Sequence, residues 1–161
     1  MPHASHRLDL LVVPTDPHTP LDEAVTARLF DGWGLDHNGR SEHMERFVDG
    51  GCNRIWMDRP GRLWLYGNQL GGFRVQCPET NVLVSAEFGR AHRAWKAGAE
   101  RTLACPCGSD HPLEACIFSP PAAFATWAIV FADIDGTSLT PLAKSSIQAA
   151  IGPYRVLTRR P

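Results

Sequence analysis

Residues 127–158 read WAIVFADIDGTSLTPLAKSSIQAAIGPYRVLT, and the architecture follows from them. The unbroken apolar run 127–131 suits a strand buried on both faces. A polar loop leads to Thr140-Pro141-Leu142, a helix start with a hydroxyl cap and proline at the first helical position. Ile147 and Ile151 continue the apolar face, Gly152-Pro153 ends it, and residues 154–158 resume as a short strand.

The same grammar opens the chain. Residues 8–13 form an apolar strand, and Thr19-Pro20-Leu21-Asp22 starts a helix over residues 20–31 that Gly32 closes. Leu21, Ala24, Val25 and Leu29 recur at helical spacing. Two β-α-β halves therefore stand at the two ends, and the expected class is α+β. One mixed or antiparallel sheet with two helices on one face would form, a split ferredoxin-like layer within a single domain covering residues 1–161.

Between the halves the punctuation is of β type. Asn38-Gly39, Asp49-Gly50-Gly51 and Arg59-Pro60-Gly61 mark turns that short antiparallel strands should separate. Residues 53–58 and 62–66 carry Ile55, Trp56, Leu63, Trp64 and Leu65, which predicts an aromatic hairpin. A third helix is predicted over residues 85–98, with Ser85 as cap, Phe88, Ala91 and Trp95 on one face, and Gly98 as the stop. His92 reads as a surface residue of that helix.

Sixteen basic residues stand against seventeen acidic ones, a net charge of -1, so no global field draws the chain to nucleic acid or an anionic membrane. Residues 1–7 lack an apolar core and the run 8–13 is too short for a signal peptide or a span. A cytoplasmic protein with no membrane partner is expected. The five cysteines, Cys52, Cys77, Cys105, Cys107 and Cys116, are an odd number that suits metal ligation or free thiols better than a disulfide framework.

Cys77-Pro78-Glu79-Thr80 and Cys105-Pro106-Cys107-Gly108 resemble the two knuckles of a zinc ribbon, over residues 73–113. A knuckle aims two thiolates at one ion from a tight turn, which requires two residues between them. Here Thr80 stands where the second cysteine belongs, and one residue is missing between Cys105 and Cys107. His111, four residues past Cys107 with Asp110 and Cys116 nearby, is the natural fourth ligand. Zinc held by Cys77, Cys105, Cys107 and His111 is chemically acceptable, but the two departures favour a ribbon that has lost its metal and carries no cofactor. With residues 66–73 included, the segment also resembles small bacterial proteins with paired Cys-Pro knuckles, a resemblance that implies a ribbon-like insert at 73–116 and no particular chemistry.

Other motifs carry little. Residues 67–72 have the wrong spacing for a dinucleotide fingerprint. Asp133-Ile134-Asp135-Gly136-Thr137 matches the first motif of haloacid-dehalogenase-like phosphatases, but twenty-four residues cannot hold the rest of that apparatus. The leading expectation is a non-catalytic protein whose insert serves structure, a protein partner or self-association. Arg90, Arg93, Lys96 and Arg101 around Trp95 offer a nucleic-acid-binding alternative. Asn68 and Gln69, beside a glycine-rich turn, and Cys77 offer a third, an enzyme with an unrecognised site.

Overall fold

The strand at the N-terminal end, β1 (Asp9–Pro14), is covered on both sides, with Leu10 to Val13 inaccessible to solvent. Its continuous apolar run follows from that double burial. This computed structural model describes residues 8–68, 72–136 and 138–161. After β1 come α1 (Glu23–Gly32), a 3-10 turn (Met44–Arg46), β2 (Arg54–Asp58), β3 (Trp64–Tyr66), β4 (Arg74–Gln76), α2 (Ser85–Lys96), β5 (Thr102–Ala104) and β6 (Asp110–Pro112). A second 3-10 turn (Leu113–Ala115), β7 (Ile117–Ser119), β8 (Ala123–Ala125), β9 (Ala128–Ala132), α3 (Pro141–Ile151) and β10 (Tyr154–Arg159) complete the chain. Among the described residues no helix is long and apolar enough to cross a membrane.

The class is mixed α+β. Four strands form an antiparallel sheet in the order β10-β1-β9-β2, with Leu10 opposite Phe131 and Leu11 opposite Leu157. Alternate residues separate its two faces. Leu10, Val12, Ile55, Ile129 and Phe131 pack with Leu29 and Trp33 from α1 and its cap, and with Ala143 and Ile147 of α3. Leu11, Val13 and Val130 face the other way, onto Tyr66, Ala123 and Ala125 of β3 and β8.

Between β2 and β9 the pairings nest, with β3 on β8, β4 on β7, and β5 on β6 at the tip. The α2 helix lies between β4 and β5 in the chain and packs on this lobe through Phe88, against Val75, Leu103, Leu113 and Phe124.

Several local expectations change. β2 and β3 do not form a hairpin, because β2 takes its ladder from the apolar β9 strand while β3 crosses beneath the sheet to β8. The Tyr66 hydroxyl donating to the Asp58 carboxylate, 2.8 Å, is what joins them. Between Asn38-Gly39 and Gly50 the chain makes the 3-10 turn and an isolated bridge from Val48 to Leu139 in place of a strand. Helix α1 starts at Glu23, since the Thr19 carbonyl is taken by Trp127 Nε1 (3.0 Å) and Thr126 Oγ1 (3.3 Å), and the Asp22 carboxylate caps Val25 N–H. Ser85 does not cap α2, because its hydroxyl accepts from Val75 N–H at 2.9 Å and Val84 occupies the cap position. Thr140 does cap α3, accepting from Ala143 N–H.

Two glycines at similar dihedrals give a test of the turn packing. Gly39 and Gly61 have φ of 74° and 75°, but a Cβ on Gly39 would run into the Ile55 carbonyl oxygen, whereas one on Gly61 would meet nothing within 4 Å. Gly61→Ala is expected to cost about 1–2 kcal/mol from the left-handed backbone alone. Gly39→Ala must in addition push the 38–39 turn off β2 and should cost measurably more. Equal shifts in urea midpoint would show that the close approach carries no energy.

Candidate metal centre

Cys77 leaves the end of β4 into a tight turn. Its N–H donates to the Val82 carbonyl (2.9 Å), its carbonyl accepts from Asn81 N–H (3.0 Å), and Asn81 takes a φ of 59° to close the loop. The second turn is the tip of the β5-β6 hairpin, where Gly108 N–H donates to the Cys105 carbonyl (3.0 Å) with Gly108 at φ 93°. His111 stands on β6 opposite Leu103. These two turns are the places the sequence marks as knuckles.

The ligand atoms of Cys77, Cys105, Cys107 and His111 all lie within 4.8 Å of one another. His111 Nε2 is 3.2 Å from Cys107 Sγ and 3.5 Å from Cys77 Sγ. Around an ion with Zn–S of about 2.3 Å and Zn–N of about 2.0 Å, a tetrahedron separates sulfur from nitrogen by about 3.5 Å and sulfurs by about 3.8 Å. Closing onto an ion therefore asks for shifts of roughly an ångström or less. Cys77 and His111 are buried and Cys105 and Cys107 half-buried, so the site has a solvent-facing side through which an ion can enter.

Thr80, a defect when read as a missing cysteine, has a different role here. Its hydroxyl donates to the Cys77 sulfur and, ahead of the turn amides of Thr80 and Glu79 and the Cys105 thiol, holds the Cys77 thiol down at about 6 against the opposing effect of burial. Cys105 goes the other way. The Cys107 amide favours its thiolate, but burial and the neighbouring Cys107 and Cys77 sulfurs outweigh that and push it up to about 11. One thiolate is welcome in this cluster and further ones repel it, which is the condition a divalent cation relieves.

The other cysteines do not join. Cys52 packs against the helix side of the main sheet, and burial raises its thiol to about 12. Cys116 is buried in the lobe core and raised to about 11, first by burial and then by the charges of Cys105, Cys77 and Glu114.

The basic set on and beyond α2 does not act as one surface. Arg101 is held in a two-pronged pair with Glu114 (2.9 and 3.0 Å), and Arg90 lies 3.9 Å from Glu87. Arg93 is exposed, and Lys96 Nζ sits 5.4 Å above the Trp64 ring. Asn68 Oδ1 accepts from Arg160 N–H at 3.0 Å, while Gln69 lies outside the described residues. His92 is not a plain surface residue. Its ring stacks on Phe88 and abuts Trp95 and Phe124, and burial first, then Lys96, lowers its pKa. No periodicity announces that environment, because Phe124 comes from a strand thirty-two residues away. Set against family models, curated proteins and solved structures, the chain finds no match.

Proposed function

We propose that this is a non-catalytic α+β protein whose ribbon-like lobe, residues 73–116, is stapled by one structural zinc ion on Cys77, Cys105, Cys107 and His111. The observation that carries the reading is the convergence of three sulfurs and one imidazole nitrogen within 4.8 Å. Three thiolates and an imidazole around a tetrahedral hole select zinc over harder cations, and four protein ligands leave no open position for substrate. The staple joins the turn before α2 to the hairpin after it.

In this reading the four-stranded sheet is a split ferredoxin-like layer, supported by the order β10-β1-β9-β2 and the two helices on one face. The lobe is the contact element of a cytoplasmic protein. Val82 and Leu83 on it, with Ile117 just beyond it on β7, are 55%, 52% and 43% exposed, apolar area that suits a protein partner or a second copy. Nucleic-acid binding has less support, since Arg101 is already engaged by Glu114.

Elemental analysis of protein purified without added metal, with X-ray absorption at the zinc edge, tests the staple. One zinc per chain, in a shell of three sulfurs and one nitrogen, is expected. Absence of zinc, or a shell dominated by oxygen, would overturn it.

A further inference from the structure

A cleft of about 820 Å³ opens on the side of the lobe lined by α2, residues 62–68 and residues 72–73, and it includes none of the four candidate metal ligands. Its walls mix apolar and polar side chains, with the rings of Trp64, Phe73, Phe88 and Trp95 among them. A volume of this size is that of a small-molecule site. Three cations line it, Arg62, Lys96 and Arg159, and among the described lining residues there is no carboxylate.

The cations differ in what they leave free. Arg159 is 8% exposed and donates through Nη2 to Asp9, which neutralises its charge, but its Nε–H is buried and has no partner among the described residues. A guanidinium N–H is always a donor, so this group asks for an acceptor. His92 Nε2, on the α2 wall, is likewise buried without a partner among the described residues. At the rim, Arg62 and Lys96 sit 5.3 and 5.4 Å from the Trp64 ring centroid. Their charges are not met by any acid among the described residues lining the cleft.

Buried polar atoms in folded proteins are nearly always satisfied, and each exception calls for a reason. Both orphaned atoms are closed to solvent and so lie within the cleft's wall, and the charge left open to an occupant is that of Arg62 and Lys96. We propose that the cleft binds a small amphiphilic anion, a carboxylate on a flat apolar or aromatic body. The body stacks against the tryptophan and phenylalanine rings, and the carboxylate meets Arg62 and Lys96.

The test uses the purified, zinc-assayed protein with 1-naphthoate as probe and 1-naphthalenemethanol as its neutral counterpart, each titrated by displacement of 8-anilinonaphthalene-1-sulfonate. Saturable binding of one naphthoate per chain is expected, tighter than the alcohol by tenfold or more. Replacing Arg62 and Lys96 together by alanine should remove most of that preference while leaving the alcohol within about twofold. Gly89 lines the cleft, and a Cβ there would touch only Arg93 Nη1 at 3.6 Å. Gly89→Leu should therefore project a side chain into the cleft and weaken binding of both probes, with the thermal midpoint unchanged or raised. No saturable binding, equal affinity for acid and alcohol, or undiminished binding in folded Gly89→Leu would each overturn the proposal. Because the cleft shares no ligand with the cysteine cluster, a zinc-free protein that binds naphthoate would sink the staple and leave the cleft standing.

Discussion

Stripping zinc with a strong chelator is expected to lower the thermal midpoint by about 8–16 °C. A ligand present at a thousand times its dissociation constant stabilises the folded state by about 4 kcal/mol. For a chain of 161 residues each kcal/mol moves the midpoint by about 2–4 °C. The loss should be local, because an ion on these four residues would tie the Cys77 turn to the β5-β6 hairpin, and the main sheet has its own core of Leu10, Val12, Ile129 and Phe131. Cys77→Ser should reproduce the shift and release the metal, since a hydroxyl is a poor zinc ligand. Cys52→Ser, on the far core, should keep one zinc per chain. A shift below about 2 °C on complete zinc removal would mean that the apolar packing of Val75, Phe88 and Leu103 holds the lobe unaided, as the two departures from the ribbon pattern suggest when read alone.

What the sequence made legible was whatever is decided by neighbours along the chain. The runs 8–13 and 127–131 were readable as strands because burial on both faces demands continuous apolar residues, and Thr140-Pro141 because a cap acts within three residues. Strand partners were not readable. Residues 53–58 and 62–66 face each other across a turn signal, yet the larger apolar surface of β9 draws β2 away. The candidate metal ligands were nameable from spacing, whereas their convergence depends on the left-handed backbone at Asn81 and Gly108, which a change of one residue in spacing does not forbid. The cleft had no signature at all. Arg62, His92 and Arg159 are brought together from a loop, a helix and a strand far apart in the chain, and an unfilled N–H follows from what surrounds it, which no local pattern encodes.

Asp9→Ala is expected to cost about 3–5 kcal/mol, the range for removing one partner of a buried ion pair. Asp9 and Arg159 are 7% and 8% exposed, face each other in the β1-β10 register and meet at 2.9 Å. The other Asp9 oxygen accepts from Asp133 N–H at 3.2 Å, at a residue held with φ 56°. Alanine would therefore leave a guanidinium buried without its counter-ion and withdraw an acceptor from the loop that follows β9. Most of the cost lies in the orphaned charge. Replacing both partners by leucine should consequently be less damaging than either single change, with a residual penalty of about 1 kcal/mol for the hydrogen bond that Asp9 accepts from Asp133 N–H. Urea unfolding of Asp9→Leu, Arg159→Leu and the double leucine variant gives the cycle directly, with Asp9→Ala measured beside them. If Asp9→Ala costs less than about 1 kcal/mol, the pair is solvated and contributes like a surface bridge. If the double variant is worse than both singles, the account based on an orphaned charge is wrong.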